Sequence, residues 1–465
     1  MVQRFPFSPT ADQLAAFTIA EAFLTERRAS RPLFLLRGYA GTGKTTLLST
    51  LVSVCKQLGF HVVLLAPTGR AAKVMSNYAG LPASTIHRQI YNLKKNENGS
   101  LFFARKNNQL SKTMFIVDEA SMIGEETDGG HSLLGDLFDF VYTKPLNRLI
   151  LTGDNAQLPP VGFSSSPALS SQHLKERYMA EVFECELKEV VRQHQKSGIL
   201  ANATSLRDKL EQKTFTPQLS RGYKDFYLMG TDRLEDGIRY AYDTFGQNNT
   251  VIITRTNKLA TAYNKYIRHR IHFQENEINA GDLLLIVKNN YQVLNSDSAA
   301  GFLANGDFAE VKRIVKFEDR YGFRFAWLEL TLPDNPDQPA FQAPVFLDLL
   351  YNDQAQLSSE QTRSLYEQVM QDYQDISNKR ERAQAIQNNA FYSALQVKFA
   401  YALTCHKAQG GQWDVVFVDH GWLPPEYDKQ DFCRWMYTAV TRAVKQTFMI
   451  NVNELFIAPS QASDS

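Results

Sequence analysis

The sequence predicts an α/β protein with two parallel sheets, broken by a basic β-hairpin and by a small all-β insertion. Three observations carry this. Short apolar runs recur along the chain and each runs into a polar loop, as buried parallel strands do. Asn96-Glu97-Asn98-Gly99 separates two alternating segments, a strong hairpin signal. From about Asn279, Gly-Asp turns open closely spaced strands instead, the pattern of a barrel-like insertion.

The chain is 465 residues long and 44% hydrophobic, enough for large cores and incompatible with global disorder. No apolar run approaches a membrane span. Residues 1–13 contain neither an apolar signal core nor a small-residue cleavage site, so a cytoplasmic location is expected. The four cysteines are scattered, with no C-x-x-C pair, which argues for reduced, structural thiols. A net charge of +1 leaves nucleic acid open as a partner, because a basic groove can sit on a neutral protein.

The first apolar run, Leu33-Phe34-Leu35-Leu36, feeds Gly38-Tyr39-Ala40-Gly41-Thr42-Gly43-Lys44-Thr45. This fits G-x-x-x-x-G-K-[ST], and a helical pattern from Thr46 to Leu58 follows it. Strand, glycine loop and helix N-terminus make an anion site of backbone N–H groups. Lys44 suits the β- and γ-phosphates of a nucleoside triphosphate, and the Thr45 hydroxyl suits Mg²⁺. Upstream, Thr10 and Gln13 have capping-box spacing. Gln13 fits that role and the reading of an adenine edge about equally, since an amide donates and accepts.

The second strand, residues 61–66, ends in Pro67-Thr68-Gly69-Arg70-Ala71-Ala72-Lys73. Loops that follow parallel strands are where ligands bind. Thr68, Arg70 and Lys73 suit a phosphate backbone or a solvated helix start. Thr85 and His87 read as cap and surface residues on their own. The hairpin carries Lys94, Lys95, Arg105 and Lys106, with Arg88 at its entry. Phe102 and Phe103 fall on opposite faces of its second strand, and an aromatic on a basic hairpin suits base stacking. Met114-Phe115-Ile116-Val117-Asp118-Glu119 is an apolar strand tipped by two carboxylates, the Walker B pattern. It assigns Asp118 to hydrated Mg²⁺ and Glu119 to the attacking water. Gln157 fits a γ-phosphate sensor or a rigid Pro-Pro loop. Arg192 fits a charge-stabilising arginine or a surface ion pair.

Residues 250–257 open a second α/β sheet. After the β insertion, residues 358–389 form a polar helical stretch, either an arm on that insertion or a bridge back to the second sheet. A strand from Val397 leads into the loop from Thr404 to Gly411. A helix over residues 434–443 places Arg442 near its end, and a last strand spans residues 447–450.

The ordered set of segments resembles the superfamily I 5′→3′ DNA helicases, RecD-like and Dda-like. The resemblance rests on Gln13, residues 38–45, 66–72, 85–88, 118–122 and 153–162, Val191-Arg192-Gln193, residues 404–410 and Tyr437-Thr438-Ala439-Val440-Thr441-Arg442-Ala443. It covers nearly the whole chain. It implies an α/β fold of two RecA-like P-loop NTPase domains with a β-hairpin pin insertion and an SH3-like β-barrel insertion. The first RecA-like domain is expected at 1–85 and 113–188, the pin at 86–112, the second RecA-like domain at 189–275 and 395–465, and the SH3-like insertion with its helical arm at 276–394.

The resemblance also assigns roles. Gln13, Gly38, Tyr39, Ala40, Gly41, Thr42, Gly43, Lys44, Thr45 and Thr46 would bind ATP, with Asp118 and Thr45 on Mg²⁺. Lys44, Glu119, Gln157, Arg192 and Arg442 would be catalytic. Pro67, Thr68, Thr85, His87, Thr404 and His406 would contact single-stranded DNA, with Phe102 or Phe103 at the fork. The expected activity is ATP-driven 5′→3′ translocation and duplex unwinding in repair, recombination or replication, by a monomer working with a single-strand-binding protein or repair-complex partner. A translocase that strips proteins without unwinding is the alternative.

Overall fold

The computed structural model describes residues 1–95, 101–125, 127–128, 131–191, 196–294 and 298–459. Its first lobe is a six-stranded, all-parallel sheet. In spatial order the strands are Glu181–Leu187, Pro32–Gly38, Arg148–Gly153, Thr113–Val117, His61–Ala66 and Ala83–Thr85. Side chains alternate across it. Phe34, Leu36 and Ile116 meet Phe17, Phe23, Leu47 and Leu51 from the helices Ala11–Thr25 and Lys44–Gln57. Leu33, Leu35 and Phe115 face the opposite way, onto Leu137, Phe138 and Leu174. Both faces are covered, which is why these strands read as unbroken apolar runs.

The second lobe is a five-stranded parallel sheet in the order Phe226–Met229, Ala443–Ile450, Trp413–Asp419, Thr250–Thr254 and Ala402–Thr404. A five-stranded antiparallel sheet adjoins it: Phe341–Phe346, Phe323–Thr331, Phe308–Arg320, Leu283–Ile286 and Val397–Phe399. Phe346 N donates to Leu395 O at 3.0 Å and Leu395 N to Pro344 O at 2.8 Å. The first edge strand thereby meets the segment entering the last one, and the sheet curls towards closure. A single apolar cluster runs from the second parallel sheet into this one.

Three local expectations change. The single strand expected from Val397 is two. Val397–Phe399 pairs with Leu283–Ile286, and Ala402–Thr404 with Thr250–Thr254. The break is pinned by Tyr401, whose hydroxyl donates to Asp282, and by Asn264, whose side chain bonds Ala402 and Phe399. The stretch 358–389 is likewise two helices, Ser359–Gln371 and Lys379–Asn388. Leu365, Val369 and Ile386 bury against Phe325 and Phe346, so it is an arm on the antiparallel sheet. The helix expected over 434–443 is Lys429–Val440, capped by Asp428, and Arg442 lies in the turn before the strand Ala443–Ile450.

Tyr91–Lys95 and Leu101–Arg105 form the expected antiparallel pair, with Leu93 opposite Phe103 and Lys94 opposite Phe102. Its turn, residues 96–99, lies outside the described residues, as does the Phe102 side chain. The four cysteines are buried and unbridged. Among the described residues no helix is long and apolar enough to cross a membrane.

Candidate functional site

The carboxyl edge of the first sheet gathers the residues singled out from sequence. Gly38 ends its strand and the helix begins at Lys44, so residues 39–43 are the connecting loop. Gly41 and Gly43 have φ of 75° and 82°, the left-handed region that a side chain resists. Thr42 is buried and donates its hydroxyl to Tyr39 O at 2.8 Å. Lys44 Nζ donates to the carbonyls of Gly38 and Tyr39, and so lies along the loop. Thr45 is exposed on the first helical turn, with Thr46 beside it.

Gln13 realises its capping role. Its Oε1 accepts from Thr10 N at 3.0 Å, and its backbone N–H donates to the Thr10 hydroxyl. Its Nε2 donates to Thr42 O at 3.0 Å, which ties the first helix to the glycine loop.

Asp118 follows Val117 at the next strand end. It is held on both oxygens: Oδ1 accepts from Glu119 N at 2.8 Å and Oδ2 from the Tyr78 hydroxyl at 2.6 Å. Burial, with the Glu119 carboxylate beside it, pushes the Asp118 carboxyl up to about 6. Glu119 has φ of 54°, a conformation costing a non-glycine residue about 1–3 kcal/mol and concentrated at functional sites. Its Oε2 is buried without a hydrogen-bond partner, and the same holds for Ser121 Oγ, Thr152 Oγ1 and Gln157 Oε1. Buried polar atoms are normally paired. Four together at one strand edge are acceptors and donors available to a polar ligand or hydrated ion.

The second lobe closes over this edge. Arg442 Nη1 lies 3.6 Å from Glu119 Oε1. The Tyr437 hydroxyl accepts from Ala40 N at 2.9 Å and donates to Asp154 Oδ2 at 2.6 Å. One buried group from the second lobe thus joins the glycine loop to the loop carrying Gln157. Burial raises the Asp154 carboxyl above the usual carboxylate range, chiefly because water is excluded. Thr438 accepts from Leu158 N and Gln409 donates to Leu158 O, both at 2.8 Å. Sequence reasoning gave Tyr437 and Thr438 no individual roles. They lie inside a quoted segment, but nothing local signals contacts nearly 300 or more positions away. Arg192 lies outside the described residues.

The residues expected on DNA occupy the same edge farther out. Thr85 pairs with Ala66, placing Pro67 and Thr68 beside it. Thr68 and Thr85 also cap helices, accepting from Ala71 N and Arg88 N. His87 is in ring contact with Tyr91 and Phe103. Phe103 meets Tyr291 of the insertion with centroids 5.0 Å apart. Phe103 is therefore engaged between hairpin and insertion. In the second lobe, Thr404 ends the edge strand and exposed His406 follows it.

Two cations considered for phosphate instead join the lobes. Arg70 stacks on Trp413 and Phe308 at 4.1 and 4.6 Å, and Lys73 pairs with Asp334 at 2.9 Å. Gly410 allows the close approach: a Cβ there would come within 2.8 Å of Ala71 Cβ. Of the hairpin's cations, Arg105 pairs with Asp136 and Asp139, and Lys106 donates to Arg88 O.

Comparison with known proteins agrees with this geometry. Residues 11–223 match the AAA domain family and residues 399–450 the UvrD-like helicase C-terminal domain. The chain is 24% identical to protein R530 of Acanthamoeba polyphaga mimivirus, over 95% of this chain and 99% of that one. It is 35% identical to the ATP-dependent RecD2 DNA helicase of Deinococcus radiodurans, over 30% of this chain and 18% of that one. It is 27% identical to the ATP-dependent DNA helicase dda of Enterobacteria phage T4, over 60% of each. A looser likeness, 16% identical with a TM-score of 0.46 and covering 97% and 95% of the two chains, is to the Pif1 helicase from Bacteroides in complex with ADP-AlF3 and ssDNA. Taken with the ordered motifs, the two family matches and the RecD2 and dda relatives make the chain similar to the superfamily I ATP-dependent DNA helicases of the RecD-like and Dda-like group, and it spans less than two thirds of the length of those two relatives.

Proposed function

We propose that the protein is a motor that moves 5′→3′ along single-stranded DNA and unwinds duplex ahead of it, in repair, recombination or replication. The observation that carries this is the cleft itself: a glycine loop and paired carboxylates on one lobe face Arg442 and Tyr437 on the other. In this reading residues 1–85 and 113–188 form one RecA-like domain and 189–275 with 395–465 the second. The hairpin is the pin and 276–394 the SH3-like insertion.

ATP is gripped by residues 38–46, with Gln13 at its adenine end. The lysine ammonium leaves the loop carbonyls for the β- and γ-phosphates, exchanging one set of acceptors for a stronger, charged one. Asp118 and Thr45 fit hydrated Mg²⁺, since each Asp118 oxygen keeps a free lone pair beyond its one hydrogen bond and partnerless polar atoms surround the site. Bound there, the ion neutralises phosphate charge. Glu119 takes a proton from the attacking water, and Gln157 orients that water through its partnerless Oε1. Arg442, with Arg192, stabilises charge on the transferring phosphoryl group. ATP then holds the lobes shut from both sides, and hydrolysis lets them part. Pro67, Thr68, Thr85 and His87 on one lobe and Thr404 and His406 on the other alternate their hold on the strand. Most of that hold is on phosphates, so binding is salt-sensitive and largely sequence-independent. Phe102 or Phe103 stands at the fork, and the ring contact of Phe103 with Tyr291 braces the hairpin on the insertion.

The deciding experiment is ATP-dependent unwinding of duplexes tailed on one side. A 5′ tail is expected to support unwinding and a 3′ tail to support little; equal use of both tails sinks the assigned direction. Deleting 96–103 separates the alternative. A stripping translocase loses nothing, whereas an unwinding motor keeps its DNA-stimulated ATPase and loses strand separation.

A further inference from the structure

We infer that the exposed indole of Trp422 is a base-stacking platform that extends the single-strand track across the second lobe, an inference that rests on the helicase reading above. Three strands of the second sheet end side by side, with Thr254 in register with Thr404 on one flank and with Asp419 on the other. All three run parallel, so the loops leaving this row emerge on one edge. The first loop carries His406, the second Arg255 and the third Trp422.

The turn presenting Trp422 is tightly built. Gly421 N donates to Asp419 Oδ1 at 2.7 Å, His420 Nδ1 lies 2.6 Å from Gly421 O, and Gly421 has φ of 62°. Asp419 is itself held by the Tyr263 hydroxyl. Arg255 Nη2 donates to the Trp422 carbonyl at 3.3 Å, while its Nε is buried without a partner. The next residue, Leu423, packs on the core. The backbone is therefore fixed on both sides, yet the Trp422 residue is 77% exposed. A solvent-facing indole on a fixed backbone offers a broad flat face with only two side-chain torsions to order. The residues sharing this edge, His406, Arg255 and Thr404, are polar or basic. That favours a nucleic-acid strand over an apolar protein surface, because sequence-tolerant single-strand binding combines cations with aromatic faces.

The chain's other tryptophans are Trp413 and Trp435, which are buried, and Trp327, which is partly buried. Solvent quenching of tryptophan emission therefore reports chiefly on Trp422. Saturating oligothymidylate is expected to quench the wild-type emission and shield it from acrylamide. Trp422→Ala is expected to weaken oligothymidylate binding about 5- to 100-fold, the worth of one stacked base, and Trp422→Phe to recover most of it. The slope of log affinity against log salt is expected to stay the same, because no phosphate contact is removed. Wild-type binding with unaltered affinity in Trp422→Ala, or with a shallower salt slope, overturns this inference alone. A wild-type chain that binds no oligothymidylate overturns the helicase reading and the inference together. Should Trp422→Ala melt early, the wild-type emission decides: no quench and no shielding on saturation overturns the platform.

Discussion

Two arginine–carboxylate pairs in this molecule, one fully buried and one partly exposed at its carboxylate, differ in how completely they are bonded. Arg268 and Asp282 are both fully buried. Arg268 Nε donates to Asp282 Oδ1 and Nη2 lies 3.1 Å from Oδ2, a two-pronged contact. Every polar atom of the pair has a further or shared partner: Nη2 donates to Asn276 O and Asn279 Oδ1, Nη1 to the Tyr351 hydroxyl, and Asp282 also accepts from Tyr401 and Asn279 N. Arg442 meets Glu119 through one 3.6 Å contact, and Glu119 Oε2 has no partner. The first pair joins the second parallel sheet to its antiparallel neighbour and has a partner on every polar atom. The second spans the two lobes and keeps bonding capacity in reserve. A saturated pair fixes geometry; an unsaturated one between lobes is suited to exchanging its partner for a ligand.

Substitution should separate these roles. Arg442→Ala removes the loose pair and is expected to lower ATP turnover about 10³-fold or more, the scale of a charge-stabilising arginine, while leaving the melting temperature within a few degrees. Steady-state ATPase and thermal unfolding of the same preparation measure both. Turnover close to wild type would put Arg442 outside the reaction. Asp282→Asn does the reverse. Removing one partner of a saturated buried pair costs about 3–5 kcal/mol, so the transition should fall markedly. What folds at low temperature should still hydrolyse ATP. An unchanged melt would show that the dense hydrogen bonding around Arg268 contributes little net stability, as happens for some buried pairs.

The contrast also marks what could be read from sequence. The strand, glycine loop and helix around Lys44 were legible because their signals are local: an apolar run, glycines where the backbone turns left-handed, then helical spacing. Asp118 and Glu119 were legible for the same reason. What the sequence left open, misjudged or missed depends on distant partners. The split at Ala400-Tyr401 follows from Tyr401 reaching Asp282. The diversion of Arg70 needs Trp413 and Phe308, and the engagement of Phe103 needs Tyr291. For Gln13 the two sequence readings were balanced, and only the loop carbonyl it meets shows that capping and tethering are done by one amide.

Tyr437 gives the finest test, because it belongs to neither class of pair. Its hydroxyl is saturated, like the Arg268 cluster, yet it spans the lobes, like Arg442. Tyr437→Phe keeps the ring and deletes two hydrogen bonds, leaving the partly buried Ala40 N–H and the buried Asp154 Oδ2 without this partner. An unsatisfied buried group costs about 1–3 kcal/mol, and the question is where that cost falls. If the hydroxyl only glues the lobes together, the loss appears as a lower melting temperature with ATP kinetics intact. If it aligns the glycine loop with the Gln157 loop during turnover, kcat is expected to drop about tenfold with KM for ATP little changed. Tyr437 bonds the loop backbone through a cleft that must open and close in each cycle. Its contribution is therefore expected in kcat, and an unchanged kcat beside a lowered melt would assign the hydroxyl to stability alone.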